Sequence, residues 1–306
     1  MAIHEGRTLL IANPAAQNGN GAAAAARAAE TLRASMGDEH FSLVLTESGR
    51  QAIGLASQAG DFDTVLALGG DGIVHEVANG LMMLSGEDRP VLGVIPVGSG
   101  NDYARTLGIS ATLDRAVQQV LEGRPRAMDV GRCNGEHFVE TLSFGLDAAI
   151  ALDTVERRKR SRLTGTLLYA ASGLDQLLHH LVEYRFEARF DGDEPVQGSM
   201  FLFAVQIGPT YGSGFRICPD AQPDDGLFDL CIARPPLSVL RATYIFLMAK
   251  SGWHTRFQQV EFLRVSSLDV RFDCPLAAQV DGELIVGDRF LIEIVPHALR
   301  VLTPAW

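Results

Sequence analysis

Apolar runs of strand length alternate with helix-spaced segments through the first 130 residues. Residues 8–12, 41–45, 64–68 and 91–97 are short runs rich in Val, Leu and Ile. A turn-rich loop over 13–21 leads into an alanine-rich segment with helical spacing to about residue 35, and residues 50–59 read as a second helix. Over 73–84 the residues Val74, Val77, Ala78 and Leu81 fall on one helical face, and further helices are expected up to about residue 121. Strand and helix in regular alternation predict a parallel sheet covered on both faces, an α/β domain spanning residues 1–130.

After Pro125 the period changes. Asn134-Gly135 between two apolar runs is a hairpin signal, and Asp191-Gly192 ends an alternating run over 182–190. Strands are expected at 200–207, 227–233, 262–272 and 290–295, with helical interruptions over 151–180 and 238–250. The pattern predicts a mainly antiparallel β domain over 131–297. A short run at 299–302 is expected to return as a strand to the first domain, joining 298–306 to it.

Composition narrows the function class. The chain has 306 residues, 47% hydrophobic and 21% charged, enough for two domains of moderate size. A formal net charge of -11 excludes a general nucleic-acid binder. Cys133, Cys218, Cys231 and Cys274 form no CxxC pair, which argues against a zinc or disulfide framework. No apolar run approaches the roughly 20 residues of a membrane-spanning helix, and the start shows no signal-peptide core, so a cytoplasmic protein is expected.

Candidate chemistry gathers in the loops. Gly69-Gly70-Asp71-Gly72 joins an apolar run to a helix, where backbone N–H groups and the helix dipole form an anion site. An aspartate inside a phosphate site makes electrostatic sense when Mg²⁺ bridges the two anions. The plain alternative is a tight turn with Asp71 capping the helix. Asn13-Pro14, with Asn18 to Gly21 behind it, also lies between a strand and a helix; so does the run Ser99 to Asp102, and Thr46-Glu47 ends the second strand. Polar, glycine-bearing loops at the carboxyl ends of parallel strands are where ligands bind in such sheets. The only lysines are Lys159 and Lys250, and neither completes a Walker A loop; a GxSxG elbow is absent, and His75-Glu76 lacks the second histidine of a zinc helix.

In the second domain, the acidic loop from Cys218 to Gly226 reads either as an exposed turn or as a Mg²⁺ site of carboxylate and carbonyl oxygens. Asp281-Gly282-Glu283 is a hairpin turn whose carboxylates could accept a proton from a hydroxyl. Arg157, Arg158, Lys159, Arg160 and Arg162 form a basic cluster that is either a solvated face or a contact for anionic headgroups.

Taken in order, these motifs resemble those of diacylglycerol-kinase-type lipid kinases, most closely the small bacterial members. The motifs are Asn13-Pro14, the Gly69 to Gly72 turn, the run Gly98 to Arg105, Asp225-Gly226 and Asp281-Gly282-Glu283. The resemblance spans nearly the whole chain. It implies a nucleotide-binding α/β domain, a β-rich second domain, an active site in the cleft between them, and ATP- and Mg²⁺-dependent phosphorylation of a lipid hydroxyl. It places ATP against Asn13, Thr46, Gly69, Gly70, Asp71, Gly72, Ile73, Val74, His75 and Ser99. It places magnesium at Asp225 with backbone oxygens of Gln222 and Leu227. The catalytic set is Asp71 together with Asp281 and Glu283, Glu283 being the family's usual base. Ile73 stands where the family usually has threonine, and residues 208–214 depart from the usual asparagine-containing run. The implied partners are ATP and a lipid acceptor; the headgroup reading of the basic cluster would add a transient, peripheral contact with the anionic inner face of the membrane. Rival readings are an NAD kinase or phosphofructokinase relative with a soluble acceptor, and a non-catalytic nucleotide-binding protein.

Overall fold

The computed structural model describes residues 6–161 and 163–304, and the chain divides into two compact units. The first runs up to Val130 and takes in the chain again from His297; the second is Gly131–Pro296.

The first unit begins β1 (Thr8–Ala12), α1 (Ala16–Gly19), α2 (Gly21–Met36), β2 (Phe41–Leu45) and α3 (Gln51–Ser57). It continues β3 (Thr64–Gly69), α4 (Asp71–Met82), β4 (Val91–Pro96), α5 (Asp102–Thr106) and α6 (Leu113–Glu122). The sheet order is β4-β3-β1-β2, all parallel, with Thr8 opposite both Phe41 and Thr64, and Thr64 opposite Val91. Every residue of β1, β3 and β4 is buried, as expected of strands covered on both faces. The returning strand is present: Val301 pairs in parallel with Leu92 of β4. The chain leaves β1 toward β2 and comes back on the other side as β3. The switch point of the sheet therefore lies between β1 and β3, where open α/β sheets hold their ligands.

The second unit contains β5 (Arg124–Cys133, entered from the first unit), β6 (Glu136–Phe138), β7 (Thr141–Gly145), α7 (Leu146–Arg160) and α8 (Gly165–His179). Then come β8 (Tyr184–Phe190), β9 (Val196–Met200), β10 (Leu202–Gln206), β11 (Phe228–Ala233) and α9 (Val239–Ala249). It closes with β12 (Val260–Val265), β13 (Ser267–Val280) and β14 (Glu283–Thr303), the last crossing into the first unit. The strands pair antiparallel in the order β12-β11-β10-β7-β13-β14, with β8 attached to β13 and β9 to β8. One sheet face carries phenylalanines, with Phe144 packed on Phe203, Phe272 and Phe290 at centroid distances of 5.8, 5.1 and 4.8 Å. The other face is covered by α7, α8 and α9 through Ile150, Tyr169, Ile245 and Phe246, with Phe215 of the loop before β11 packed among them.

Three strand boundaries differ from the sequence pattern. β9 was not expected, because Val-Gln-Gly-Ser-Met carries no apolar alternation; it pairs with β8 across the Asp191-Gly192 turn. The expected strand over 262–272 is two strands. β13 runs on to Val280, with a register shift between Arg271 and Leu276 that lets its first half pair with β8 and its second with β7. Finally, residues 283–289, where Leu284, Ile285 and Val286 are followed by Gly287-Asp288-Arg289, extend β14 back to the Asp281-Gly282 turn.

Candidate functional site

The first cluster stands at the switch point. Asn13 follows β1; its N–H donates to the Leu68 carbonyl at 3.0 Å and its Oδ1 accepts from the Ala15 N–H at 2.9 Å. Gly69 has φ of +154°, and a Cβ there would meet Ile73 Cγ2 at 2.8 Å and Asn13 Cβ at 3.4 Å. Only glycine leaves room for these neighbours. The Gly98 loop crosses close by: a Cβ on Gly98 would lie 2.4 Å from Gly70 Cα. Asn101, in the left-handed region at φ 54°, clamps that loop by accepting from Gly98 N–H at 2.8 Å and donating to Gly98 O at 2.9 Å. Ser99 and the partly buried Thr46 flank the cluster, Thr46 N–H donating to the Ala12 carbonyl at 2.9 Å.

Asp71 is not the cap of its helix. Gly70 is the N-cap, and the Asp71 carboxylate turns to the neighbouring loop, where Oδ1 accepts the Tyr103 N–H at 3.3 Å. Burial, and the Asp102 carboxylate beside it, push the Asp71 carboxyl up to about 7, although the backbone N–H groups of Tyr103, Asn101 and Asp102 pull the other way. Asp102 is buried and pairs with Arg105. A carboxylate whose charge is disfavoured by burial and by a second acid is one that a divalent cation stabilises. Mg²⁺ therefore fits here.

Gly72 is exposed at the start of α4, where backbone N–H groups have no acceptor within the helix. Ile73, Val74 and His75 are carried into the core: all three side chains are buried, and the Val74 N–H donates to Gly70 O at 3.5 Å. The His75 Nε2 lies 3.3 Å from Asn79 Nδ2. The isoleucine that replaces the family's threonine is thus a packing residue against Gly69.

The second cluster is in the other unit. Asp281 (φ 47°) and Gly282 (φ 94°) make the two-residue turn between β13 and β14. The Asp281 carboxylate is engaged by backbone: Oδ2 accepts from Val139 N–H at 2.9 Å, and Oδ1 from Glu140 and Thr141 N–H at 3.1 and 2.9 Å. Glu283, opposite Val280, is exposed. The turn is braced from behind. Gly282 N–H donates to Gln279 Oε1 at 2.7 Å, and Gln279 Nε2 donates to Ser143 Oγ at 2.8 Å. Ser143 in turn hydrogen-bonds Asp147, which also accepts from the Tyr169 hydroxyl at 3.0 Å.

Sequence reasoning missed Gln279, Ser143, Asp147 and Tyr169, because no local spacing marks them. Burial pushes the Asp147 carboxyl up to about 7, against the bonds from Ser143 and Tyr169, and its Oδ2 has no hydrogen-bond partner among the described residues. Raised above the ordinary 3.8, this group contributes stability that is complete below about pH 4 and lost as pH rises through 7. Asp147→Asn is therefore expected to match the wild type near pH 4 and to melt several degrees higher at pH 8, since ionising the acid costs roughly 4 kcal/mol at most. Thermal melts at the two pH values check this; equal melting at pH 8 sinks it.

The acidic loop lies apart from that turn in sequence. Asp225 pairs with Arg264 and accepts the Leu227 N–H at 3.1 Å; Asp229 approaches the same Arg264 at 3.6 Å. Burial raises the Asp229 carboxyl, with Asp225 and Asp220 adding to the rise against Arg264, and its buried Oδ2 has no partner among the described residues. Acid exceeds base, and oxygen donors of this kind suit Mg²⁺. Among the described residues no group of three His, Cys, Asp or Glu side chains could hold a metal, so carbonyls such as those of Gln222 and Leu227 would have to complete the shell.

The basic cluster is partly neutralised. Arg157 is bound by Asp153 at 2.8 Å and Asp175 at 2.7 Å, while Arg158 and Arg160 are exposed. Arg162 lies outside the described residues. No helix of the described residues is long and apolar enough to cross a membrane.

A parallel sheet with a glycine-aspartate turn at its switch point, followed by an antiparallel β unit, defines an α/β-plus-β architecture of the kind kinases use. Comparison with known proteins gives the family. Residues 7–133 match the diacylglycerol kinase catalytic domain, and residues 140–303 match the YegS C-terminal NAD kinase beta sandwich-like domain. A diacylglycerol kinase of Bacillus subtilis is 33% identical over 224 residues, 73% of this chain and 72% of the relative. A YegS-like lipid kinase of Chromohalobacter salexigens is 33% identical over 268 residues, 87% of this chain and 84% of the relative. The chain belongs to the diacylglycerol kinase and YegS-like family of lipid kinases. A diacylglycerol kinase structure from Bacillus anthracis shares the fold, with a TM-score of 0.81 at 22% identity over 97% of this chain and 96% of that one. An NAD kinase from Archaeoglobus fulgidus in complex with ATP is a more distant fold relative, with a TM-score of 0.54 at 15% identity, covering 98% of this chain and 93% of that one.

Proposed function

We propose that this kinase transfers the γ-phosphoryl group of ATP to a hydroxyl of a lipid such as diacylglycerol, in a Mg²⁺-dependent reaction. The observation that carries the reading is the Asp71 carboxylate, poised with Asp102 where the Gly69–Gly72 and Gly98–Asp102 loops cross. The chain's own residues have separable tasks. Asn13, Thr46, Ser99 and the glycine turn position the nucleotide, with N–H groups at the start of α4 facing anionic oxygens. Asp71 would hold a Mg²⁺, which when bound would supply charge neutralisation for the phosphates. Glu283 accepts the hydroxyl proton as the bond from acceptor oxygen to phosphorus forms and the bond to the departing ADP oxygen breaks. Asp281 shapes the turn that carries Glu283. A second, structural Mg²⁺ is assigned to Asp225 with the carbonyls of Gln222 and Leu227, and the acid excess around Arg264 supports that assignment. Such an enzyme works as a cytoplasmic protein that visits the membrane surface.

Labelled ATP offered with diacylglycerol, phosphatidylglycerol or a sphingoid base in mixed micelles tests the proposal. Label is expected on a lipid, and only with Mg²⁺ present. Label on NAD and on no lipid would establish instead the soluble-acceptor reading that the fold likeness to an NAD kinase favours. ATP binding with no labelled product from any acceptor would leave a nucleotide-binding protein.

A further inference from the structure

The helix α9 has an apolar face on each side. Its inner side is accounted for: Ala242, Ile245, Phe246 and Ala249 are buried, and Phe246 packs so closely on α8 that a Cβ on Gly173 would lie 2.2 Å from its ring. Its outer side is not. Leu240, Tyr244 and Leu247, spaced i, i+4, i+7, are 84%, 50% and 46% exposed, and Trp253 just beyond the helix is 57% exposed. The three helical residues form one stripe along α9, and Trp253 adds a fourth exposed apolar side chain in the turn that follows.

The charge of this segment is opposite to that of the chain. The protein carries 37 acidic residues and a net charge of -11, yet from Leu230 to Val260 there is no Asp or Glu. The exposed cations are set beside the apolar stripe: Arg256 lies over the Trp253 ring at 4.8 Å and Arg241 over Phe257 at 4.5 Å. Lys250 ends the helix, its Nζ donating to the carbonyls of Ser213 and Gly214 at 3.0 and 3.1 Å. The C-terminal end of α9 is thereby fastened to the 208–214 loop. Exposed Leu, Tyr and Trp with flanking Arg and no acid is the composition of a helix that lies in the headgroup region of an anionic bilayer. A soluble partner protein gives no reason for removing every acid from the segment.

We propose that the outer face of α9, with Trp253, is an interfacial docking surface that seats the second unit on an anionic lipid membrane. The membrane-facing element is then α9, and the Arg157–Arg160 run, partly consumed by ion pairs, is secondary. This inference rests on the lipid-acceptor reading for its biological use, but its test does not depend on turnover.

Co-sedimentation with vesicles of mixed phosphatidylglycerol and phosphatidylcholine measures it on the full chain. Leu240→Glu with Leu247→Glu, and separately Trp253→Ala, are expected to weaken binding on the order of tenfold or more, with melting temperature unchanged. Arg241→Gln with Arg256→Gln should weaken binding to the anionic vesicles mainly at low salt and leave pure phosphatidylcholine unaffected. In a Trp306→Phe background, Trp253 emission should shift to the blue on adding the anionic vesicles. Wild-type protein that ignores these vesicles overturns the proposal, as do glutamate variants that bind like wild type. So does a concentration-dependent dimer, seen by analytical ultracentrifugation, that the glutamate substitutions dissolve without altering vesicle binding. Loss of vesicle binding in the variants, with no lipid phosphorylated by the wild type, would sustain the docking surface while removing the lipid-kinase reading.

Discussion

Glu283→Gln is expected to lower kcat by roughly 10² to 10⁴ with little change in ATP affinity, the range for removing a general base. The geometry separates the two acids of the turn. The Asp281 carboxylate accepts from the backbone N–H groups of Val139, Glu140 and Thr141, so that side chain is a brace for the chain segment leading into β7. Glu283 is exposed, two residues on, in a turn fixed by the Gly282 N–H bond to Gln279. Asp281→Asn should therefore lower thermal stability as much as turnover, by weakening charge-assisted bonds. Glu283→Gln should leave melting unchanged. Measured kcat, ATP affinity and melting temperature of the two variants decide the matter. An active Glu283→Gln beside a stable, dead Asp281→Asn would exchange the roles.

Asp71→Asn is expected to abolish turnover, by on the order of 10³-fold or more, the scale on which phosphoryl transfer responds to losing a charge contact. The substitution keeps the acceptor for the Tyr103 N–H and removes the anion. Because burial and Asp102 hold the Asp71 carboxyl near 7, the charge is a burden on the protein without a cation, and the folded state is favoured as pH falls below that value. The asparagine variant should accordingly melt no lower than the wild type at pH 8 while losing activity. Near wild-type kcat at ordinary Mg²⁺ would reduce Asp71 to a tie between the two loops.

Much of this protein can be read from local pattern. The alternation of buried runs with helix-spaced segments determined the parallel sheet, because strands covered on both faces must be apolar throughout, as β1, β3 and β4 are. The glycines of the 69–72 turn mark a place where backbone can come close to a ligand, and the structure adds a loop contact that local pattern does not indicate: Gly98 against Gly70. The hairpin at Asn134-Gly135 and the returning strand at 299–302 were equally local signals.

What the sequence could not determine are choices between partners far apart along the chain. Nothing near Asp281 indicates that its carboxylate binds the backbone at 139–141, and nothing near Asp71 indicates that it turns from its own helix to Tyr103. Arg157 reads as part of a basic run, a solvated face or a headgroup contact, until Asp175 joins the nearby Asp153 in holding it. Ser143, Gln279, Asp147 and Tyr169 become one hydrogen-bonded brace only because β7, β13 and α8 meet. The outer stripe of α9 is apolar like its inner side, and the buried side is the one where Gly173 of α8 leaves room for Phe246. Periodicity is set by the backbone within a few residues, so the sequence carries it. Burial, ion pairing and the raised acid groups arise from packing between distant segments, and only the tertiary structure decides them.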